Sequence, residues 1–166
     1  LVHYARRREI KAIRSASCRR LWEWSEVWGG FSKSYLVATG PSFERHAEID
    51  DFDGAFVVTC NSAVIDREFM DRARPSLVVF GDPIFHFGPS RYASEFRERL
   101  RAAASEYDFR IAVSEKYCFL FSHCFPELVG RTVFVPLDGA RKDFHWQLDR
   151  ELVVKSTKNI LTLLME

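Results

Sequence analysis

The chain has 166 residues, 47% of them hydrophobic and 28% charged, which fits one globular domain with a proper core and excludes a disordered or fibrous chain. A formal net charge of +1 excludes a strong preference of the whole chain for nucleic acid or an acidic partner. The charge is uneven, however: Arg6, Arg7, Arg8, Lys11, Arg14, Arg19 and Arg20 against Glu9 put +6 on residues 1–20 and leave −5 on the rest.

The first predicted element is a helix over 1–28. Ile10, Ile13, Leu21, Trp24 and Trp28 fit one helical stripe, basic side chains take the other faces, and Gly29-Gly30 ends it. Such a helix suits packing of its Trp-rich end on the domain. It also suits an anionic membrane surface, with Trp22, Trp24 and Trp28 at the interface. No DNA- or RNA-binding motif accompanies the charge. The expected division is a basic helix over 1–30 and an α/β domain over 31–166.

The rest of the chain is organised around Ser34–Asn61. A buried run, Tyr35-Leu36-Val37-Ala38, stops at Thr39-Gly40-Pro41-Ser42, and Phe43–Asp50 is polar enough for a short exposed helix. A second buried run, Ala55–Cys60, ends at Asn61. Strand, tight turn, helix and strand make a crossover unit, which is right-handed in a parallel sheet. Ser62 then caps a predicted helix through Asp71, and Ser76–Phe80 is a third buried run, ending at Gly81-Asp82-Pro83. Ile84–Pro89 reads as an aromatic loop containing His86. Ser90 caps an amphipathic helix through Ser105, with Tyr92, Phe96 and Leu100 on one face. Arg110–Val113 is a fourth strand, Tyr117–Phe125 an aromatic, helix-compatible stretch, and Thr132–Val135 a fifth strand ending at Pro136. Asp138–Asp149 is a polar loop, and Ile160, Leu161, Leu163 and Leu164 give Lys155–Met165 a helical pattern. Strands alternating with helices predict a Rossmann-like α/β fold with a mostly parallel sheet.

Cys18, Cys60, Cys118 and Cys124 are scattered, as reduced thiols in a cytosolic setting are. No stretch spans a membrane and none reads as a cleavable signal peptide. The expected location is the cytoplasm, with the basic helix offering a peripheral contact to the inner membrane face. The chain begins at Leu and stops inside an apolar helical pattern, so it reads as a piece of a longer protein.

Ligands of open parallel sheets bind beyond the carboxyl ends of the strands, and that edge collects the candidate residues. Thr39, Gly40, Pro41 and Ser42 let the backbone approach a phosphate ahead of a helix N-terminus. The turn is neither a P-loop nor a GxGxxG fingerprint. Asn61 and Asp82 each follow a buried strand directly, where an amide suits a ribose or phosphate and a carboxylate suits a hydroxyl or cation. Both residue types also form caps and turns. His86 and His145 are candidate proton-transfer groups, equally compatible with structural roles. Cys118, His123 and Cys124 lack zinc-finger spacing, and no metal is assigned.

The segments "LVATGPSF", "FVVTCNSA" and "LVVFGDPIFHFGPSRY" together resemble the N-terminal half of the small bacterial sialyltransferases that build lipooligosaccharide outer sugars, with their related glycosyltransferase-like proteins. That family shows a Gly-Pro-Ser turn after the first strand, an Asn ending the second, and Asn-Pro or Asp-Pro with aromatics ending the third. The resemblance spans about residues 35–165. It implies a metal-free transfer of sialic acid from a CMP-sugar donor to a glycan acceptor, with no cofactor. By position, Thr39–Ser42 and Asn61 would hold the nucleotide, and Asp82 the ribose or the transferred sugar. Ser156 and Thr157 would face the phosphate or carboxylate. This chain departs from the pattern at Thr39, at Asp82 and at Lys158-Asn159, and the family's histidine base and tyrosines come from segments beyond residue 166. Two other classes are compatible with the same turn: a nucleotide-binding, pyrophosphokinase-like enzyme, and a non-catalytic module anchored by its basic helix.

Overall fold

Short runs of β-branched and aromatic residues form the strands at the centre of the molecule because a strand covered on both faces needs apolar groups on both. The run at Tyr35–Ala38, expected to be buried, is instead at the sheet edge, with no residue fully buried and Leu36 51% exposed. In a computed structural model of the chain, residues 2–48 and 52–135 are described, with side chains from Arg8 onward. The expected helix over 155–165, the loop over 138–149, and His145, Ser156 and Thr157 lie outside the described residues. The strands are β1 (Lys33–Val37), β2 (Ala55–Cys60), β3 (Leu77–Phe80), β4 (Arg110–Ser114) and β5 (Thr132–Val135), each within two residues of its predicted bounds. They make one all-parallel sheet in the order β1-β2-β3-β4-β5. The fold is therefore the expected Rossmann-like α/β type, preceded by the N-terminal helix.

Consecutive strands are neighbours, and right-handed crossovers between them all pass on one face. That face carries the larger core: Val57, Val78, Phe80, Ile111, Val113 and Phe134 meet Phe69, Met70, Phe96, Leu100, Phe121 and Phe125 from the connections. Each fully buried aromatic contributes roughly 1.5–3 kcal/mol relative to an exposed one. The opposite face, Val58, Cys60, Val79, Ala112 and Val133, is covered by Leu21 and Trp24 of α1 (Val2–Trp28).

α1 runs antiparallel to the strands. Trp28 packs on Phe56 with ring centroids 4.8 Å apart, and the Arg110 guanidinium lies over the Trp24 ring. Arg20 donates to the carbonyls of Val129 (2.8 Å) and Thr132 (2.9 Å), and Ser17 Oγ accepts the Phe134 N–H at 2.9 Å. Arg14 makes a two-pronged pair with Glu115, just past the carboxyl end of β4. These contacts are structural, and two of the helix's three tryptophans lie against the sheet.

Three connections differ from expectation. The helix predicted over Ser62–Asp71 is two elements: a 3-10 helix at Asn61–Ile65, then α2 (Arg67–Ala73). Asp66 separates them because its extended backbone lets its carboxylate accept the Phe69 N–H at 2.9 Å, so it acts as a cap where a helix interior was expected. The aromatic loop at Ile84–Pro89 is largely helical, as α3 (Pro83–Phe87): Asp82 caps it and Pro83 opens it, a position where a missing N–H costs nothing. The expected helix over Phe43–Asp50 is a 3-10 helix, Phe43–Glu48, and it is not wholly exposed. Its i,i+3 pair Phe43 and His46 eclipse on one face, and both rings pack 5.3 Å from Phe69. α4 (Arg91–Glu106) is capped by Ser90 as expected and buries Phe96 and Leu100, but Tyr92 in its first turn stays 39% exposed. α5 (Cys118–Cys124) follows a single 3-10 turn after β4.

Candidate functional site

The register sets one level rim. Val37 pairs with Thr59, Cys60 with Val79, Phe80 with Val113, and Ser114 with Val135, so the residues after each strand emerge side by side. The strand order contains no reversal among the described residues, so no crevice of the switch-point kind opens between two strands. The rim has to be read from its own side chains.

Asn61 is the constrained residue. It leaves β2 with a φ of 50°, a left-handed conformation that asparagine tolerates better than most residues. In that position its Oδ1 accepts the Gly81 N–H at 3.1 Å, tying the end of β2 to the end of β3. The oxygen is committed to the fold; the amide NH2 has no partner among the described residues. Next to it, Thr59 Oγ1 donates to the Val37 carbonyl at 2.8 Å, and Thr39 Oγ1 lies 3.9 Å from Cys60 Sγ. Thr39 therefore belongs to the stitching of β1 to β2.

The turn after β1 is held by Phe43 N–H to the Gly40 carbonyl (2.9 Å) and Arg45 N–H to the Ser42 carbonyl (3.1 Å). Gly40 has no positive φ, and a Cβ added there would meet nothing within 4 Å, so the fold itself does not require glycine. Gly88 is the contrast: a Cβ there would sit 2.4 Å from the Ile84 carbonyl oxygen. Beside the turn lies a cavity of about 390 Å³, lined by Val37, Phe43, Ser42, Arg45, His46 and Glu48 among others. His46 is 7% exposed and its Nδ1 has no hydrogen-bond partner among the described residues, while Arg45 and Glu48 pair at 3.0 Å on the outside. A second cavity of about 490 Å³ lies at the other, amino edge of the sheet, beside Asp53, Asp71, Arg72 and Arg74.

At the end of β3, Asp82 is exposed and caps α3 with a long 3.4 Å contact from the Phe85 N–H. His86 is 4% exposed, its Nδ1 is 2.9 Å from the Asp82 carbonyl oxygen, and its ring packs 4.6 Å from Phe96. Burial pushes its pKa below the ordinary histidine value, opposed by the Asp82 carbonyl contact and the nearby carboxylate. His86 is thus held inside the core side of α3, not displayed on the rim.

The structure brings Asn61, Gly81 and Asp82 together, and separately places Ser42 in a cavity with Arg45, His46 and Glu48. His46 and the Arg45–Glu48 pair are hidden in the sequence because a polar stretch looks like a solvated helix. The i,i+3 spacing of Phe43 and His46 is the one signal that points inward. Among the described residues no group of three or more His, Cys, Asp or Glu side chains could hold a metal ion, and no helix is long and apolar enough to cross a membrane. The chain matches no protein-family model, no curated protein and no solved structure.

Proposed function

We propose that the chain is the nucleotide-binding part of a glycosyltransferase, sialyltransferase-like, that takes a CMP-sugar donor across the carboxyl ends of β1–β3 and delivers its sugar to a glycan acceptor. The observation that carries this reading is Asn61: a left-handed, non-glycine strand end whose oxygen is tied to Gly81 and whose NH2 is left to meet a ligand. Strained backbone of this kind persists where the surrounding structure over-determines it, often at ligand sites. Ser42 and an unfilled Cβ direction at Gly40 lie on the same rim, where a phosphate can approach main chain.

In this mechanism the acceptor hydroxyl attacks the anomeric carbon as the bond to the CMP phosphate oxygen breaks. A base takes the hydroxyl proton, and the departing phosphate is stabilised by N–H and O–H donors. This chain's part is binding and orientation: Ser42 and Asn61 supply donors, and Asp82 accepts from sugar hydroxyls. No described residue is assigned as the base.

Calorimetric titration of the chain with CMP, with and without magnesium, tests the reading. Saturable binding that is independent of magnesium, and weakened by Ser42→Ala and Asn61→Ala, is expected. Each lost hydrogen bond should cost about 0.5–1.5 kcal/mol, more where phosphate is the partner. Binding of nucleoside triphosphate only with magnesium would favour the pyrophosphokinase-like class instead.

A further inference from the structure

α3 is five residues long, yet it carries apolar groups on two sides. Its inward side accounts for Phe87, which is 1% exposed and packs on Phe80, Phe121 and Phe125. Its outward side has no such account: Ile84 is 56% exposed and Phe85 54%. Phe85 is not adrift, because its ring pairs with Tyr92 of α4 at a centroid distance of 4.6 Å and a tilt of 37°, and Tyr92 in turn stacks on buried Phe96. Both rings also pack against the buried His86, at 5.2 and 6.2 Å, so the pair roofs the core on one side and is a supported aromatic platform open to solvent on the other. Exposed apolar clusters of this kind mark binding surfaces.

The polar groups beside the platform narrow the ligand. Asp82 caps the helix that bears Phe85, and among the described residues only one of its oxygens is engaged, at 3.4 Å. The Tyr92 hydroxyl has no partner among the described residues. A sugar ring has the matching surface: an apolar face of C–H bonds for aromatic rings, and a rim of hydroxyls that donate to a carboxylate. A flat anion would be repelled by Asp82, and an apolar peptide would leave the carboxylate unpaired. Resting on the transferase reading above, we infer that Ile84, Phe85, Tyr92 and Asp82 form the subsite for a hexose ring of the glycan acceptor, beside the donor's place at Asn61.

The test is a ¹³C–¹H aromatic NMR titration of the 166-residue chain with lactose, with sorbitol (hydroxyls without a ring) and with CMP. Lactose should shift the Phe85 and Tyr92 signals saturably while sorbitol leaves them in place. Phe85→Ala and Tyr92→Ala, both at exposed positions and checked for folding by circular dichroism, should each weaken lactose about two- to tenfold. Tyr92→Phe should keep most of the stacking, and Asp82→Asn should weaken lactose while still capping α3. Absence of a lactose shift, or equal shifts with sorbitol, overturns the inference. So does a CMP titration that moves Phe85 and Tyr92 instead, which would make the platform a nucleobase site. Concentration-dependent self-association abolished by Phe85→Ala would assign the patch to a second copy and also overturn it. CMP binding at Asn61 without lactose binding leaves the transferase reading standing and this subsite wrong. Lactose binding without CMP binding does the reverse, leaving a glycan-binding module.

Discussion

Asn61 and Gly81 are twenty residues apart in the chain and one hydrogen bond apart in space, with Oδ1 accepting the Gly81 N–H at 3.1 Å. The bond aligns the carboxyl ends of β2 and β3 and uses one half of the amide, and the two halves can be separated by substitution. Asn61→Asp keeps the accepting oxygen and a residue type that tolerates the left-handed backbone, so stability should stay close to that of the parent. It loses the NH2 donors and adds charge facing any phosphate, so CMP binding should fall. Asn61→Ala loses the tie and places alanine at a φ of 50°, with an expected stability loss of about 1–3 kcal/mol. Urea unfolding and CMP titration of the two variants decide the matter. Equal loss of binding and stability in both would make Asn61 a structural residue only.

Gly40 and Gly88 make a matched pair for asking what a glycine is for. Gly40→Ala should leave the fold intact or stabilise it by about 0.4–1 kcal/mol, because its backbone suits alanine and the added methyl meets no atom. It should weaken CMP if the phosphate approaches that turn closely. Gly88→Ala should be clearly destabilising, since its methyl would meet the Ile84 carbonyl oxygen at 2.4 Å. Thermal unfolding of both variants, with CMP titration of Gly40→Ala, checks this. A destabilised Gly40→Ala that binds CMP normally would return the Gly-Pro-Ser turn to plain structure.

The strands are legible because each contains a short run of β-branched and aromatic residues bounded by turn formers and too short for a helix. That the first lies at an exposed edge is not legible, because it depends on the strand order. Ser90 and the apolar spacing after it likewise marked α4. What went unread depends on contacts distant in sequence or on caps in disguise. Asp66 sits inside a stretch that looks helical throughout, and only its turn to an extended backbone splits it. Asp82-Pro83 has the pattern of a break after β3, although the same pair is a cap and a first helical residue. The burial of His46 depends on Phe69, twenty-three residues on. Of the candidate site, Asn61 and Asp82 were legible as strand ends. That Asn61 would be clamped to Gly81, and that Thr39 would face Cys60, depends on the register between strands, which no local pattern encodes.

His86 links stability to pH. Its folded pKa is depressed by burial, so the unfolded chain binds a proton more readily than the folded one. Stability should therefore be full above the ordinary histidine value of about 6.5 and fall as the pH drops toward the folded pKa, with a slope of at most about 1.4 kcal/mol per pH unit for this one group. Other groups titrate in that range, so the measurement is the difference between the parent and His86→Phe in urea unfolding from pH 8 to pH 5. The parent should lose more stability on acidification than the variant. Asp82→Asn should steepen the parent's loss, because the carboxylate is one of the two influences holding the histidine's proton affinity up. Parallel pH curves for the parent and His86→Phe would show that His86 does not titrate differently on folding.

The basic helix offers the last expectation, on membrane contact. Trp24 and Trp28 lie against the sheet, and Arg14 and Arg20 are tied to Glu115 and to the Val129 and Thr132 carbonyls. These groups cannot serve the sheet and a lipid surface at once. The outward stripe keeps Lys11, Arg19 and Trp22, the last 54% exposed, with Glu23 and Glu26 following one turn later. Each basic group near an acidic surface contributes about 1 kcal/mol, so attachment through this stripe should be weak and salt-sensitive. The intact chain should pellet with acidic vesicles at low salt, release at physiological salt and ignore neutral lipid. Lys11→Glu with Arg19→Glu should abolish pelleting without unfolding the chain, because neither side chain packs on the sheet. Trp24→Ala should act in the opposite register, lowering stability by less than the ~3–5 kcal/mol of a fully buried aromatic because Trp24 is only partly buried, with little effect on pelleting of the fraction that stays folded. A chain that stays in the supernatant with acidic vesicles at low salt would make α1 a structural layer of the domain and nothing more.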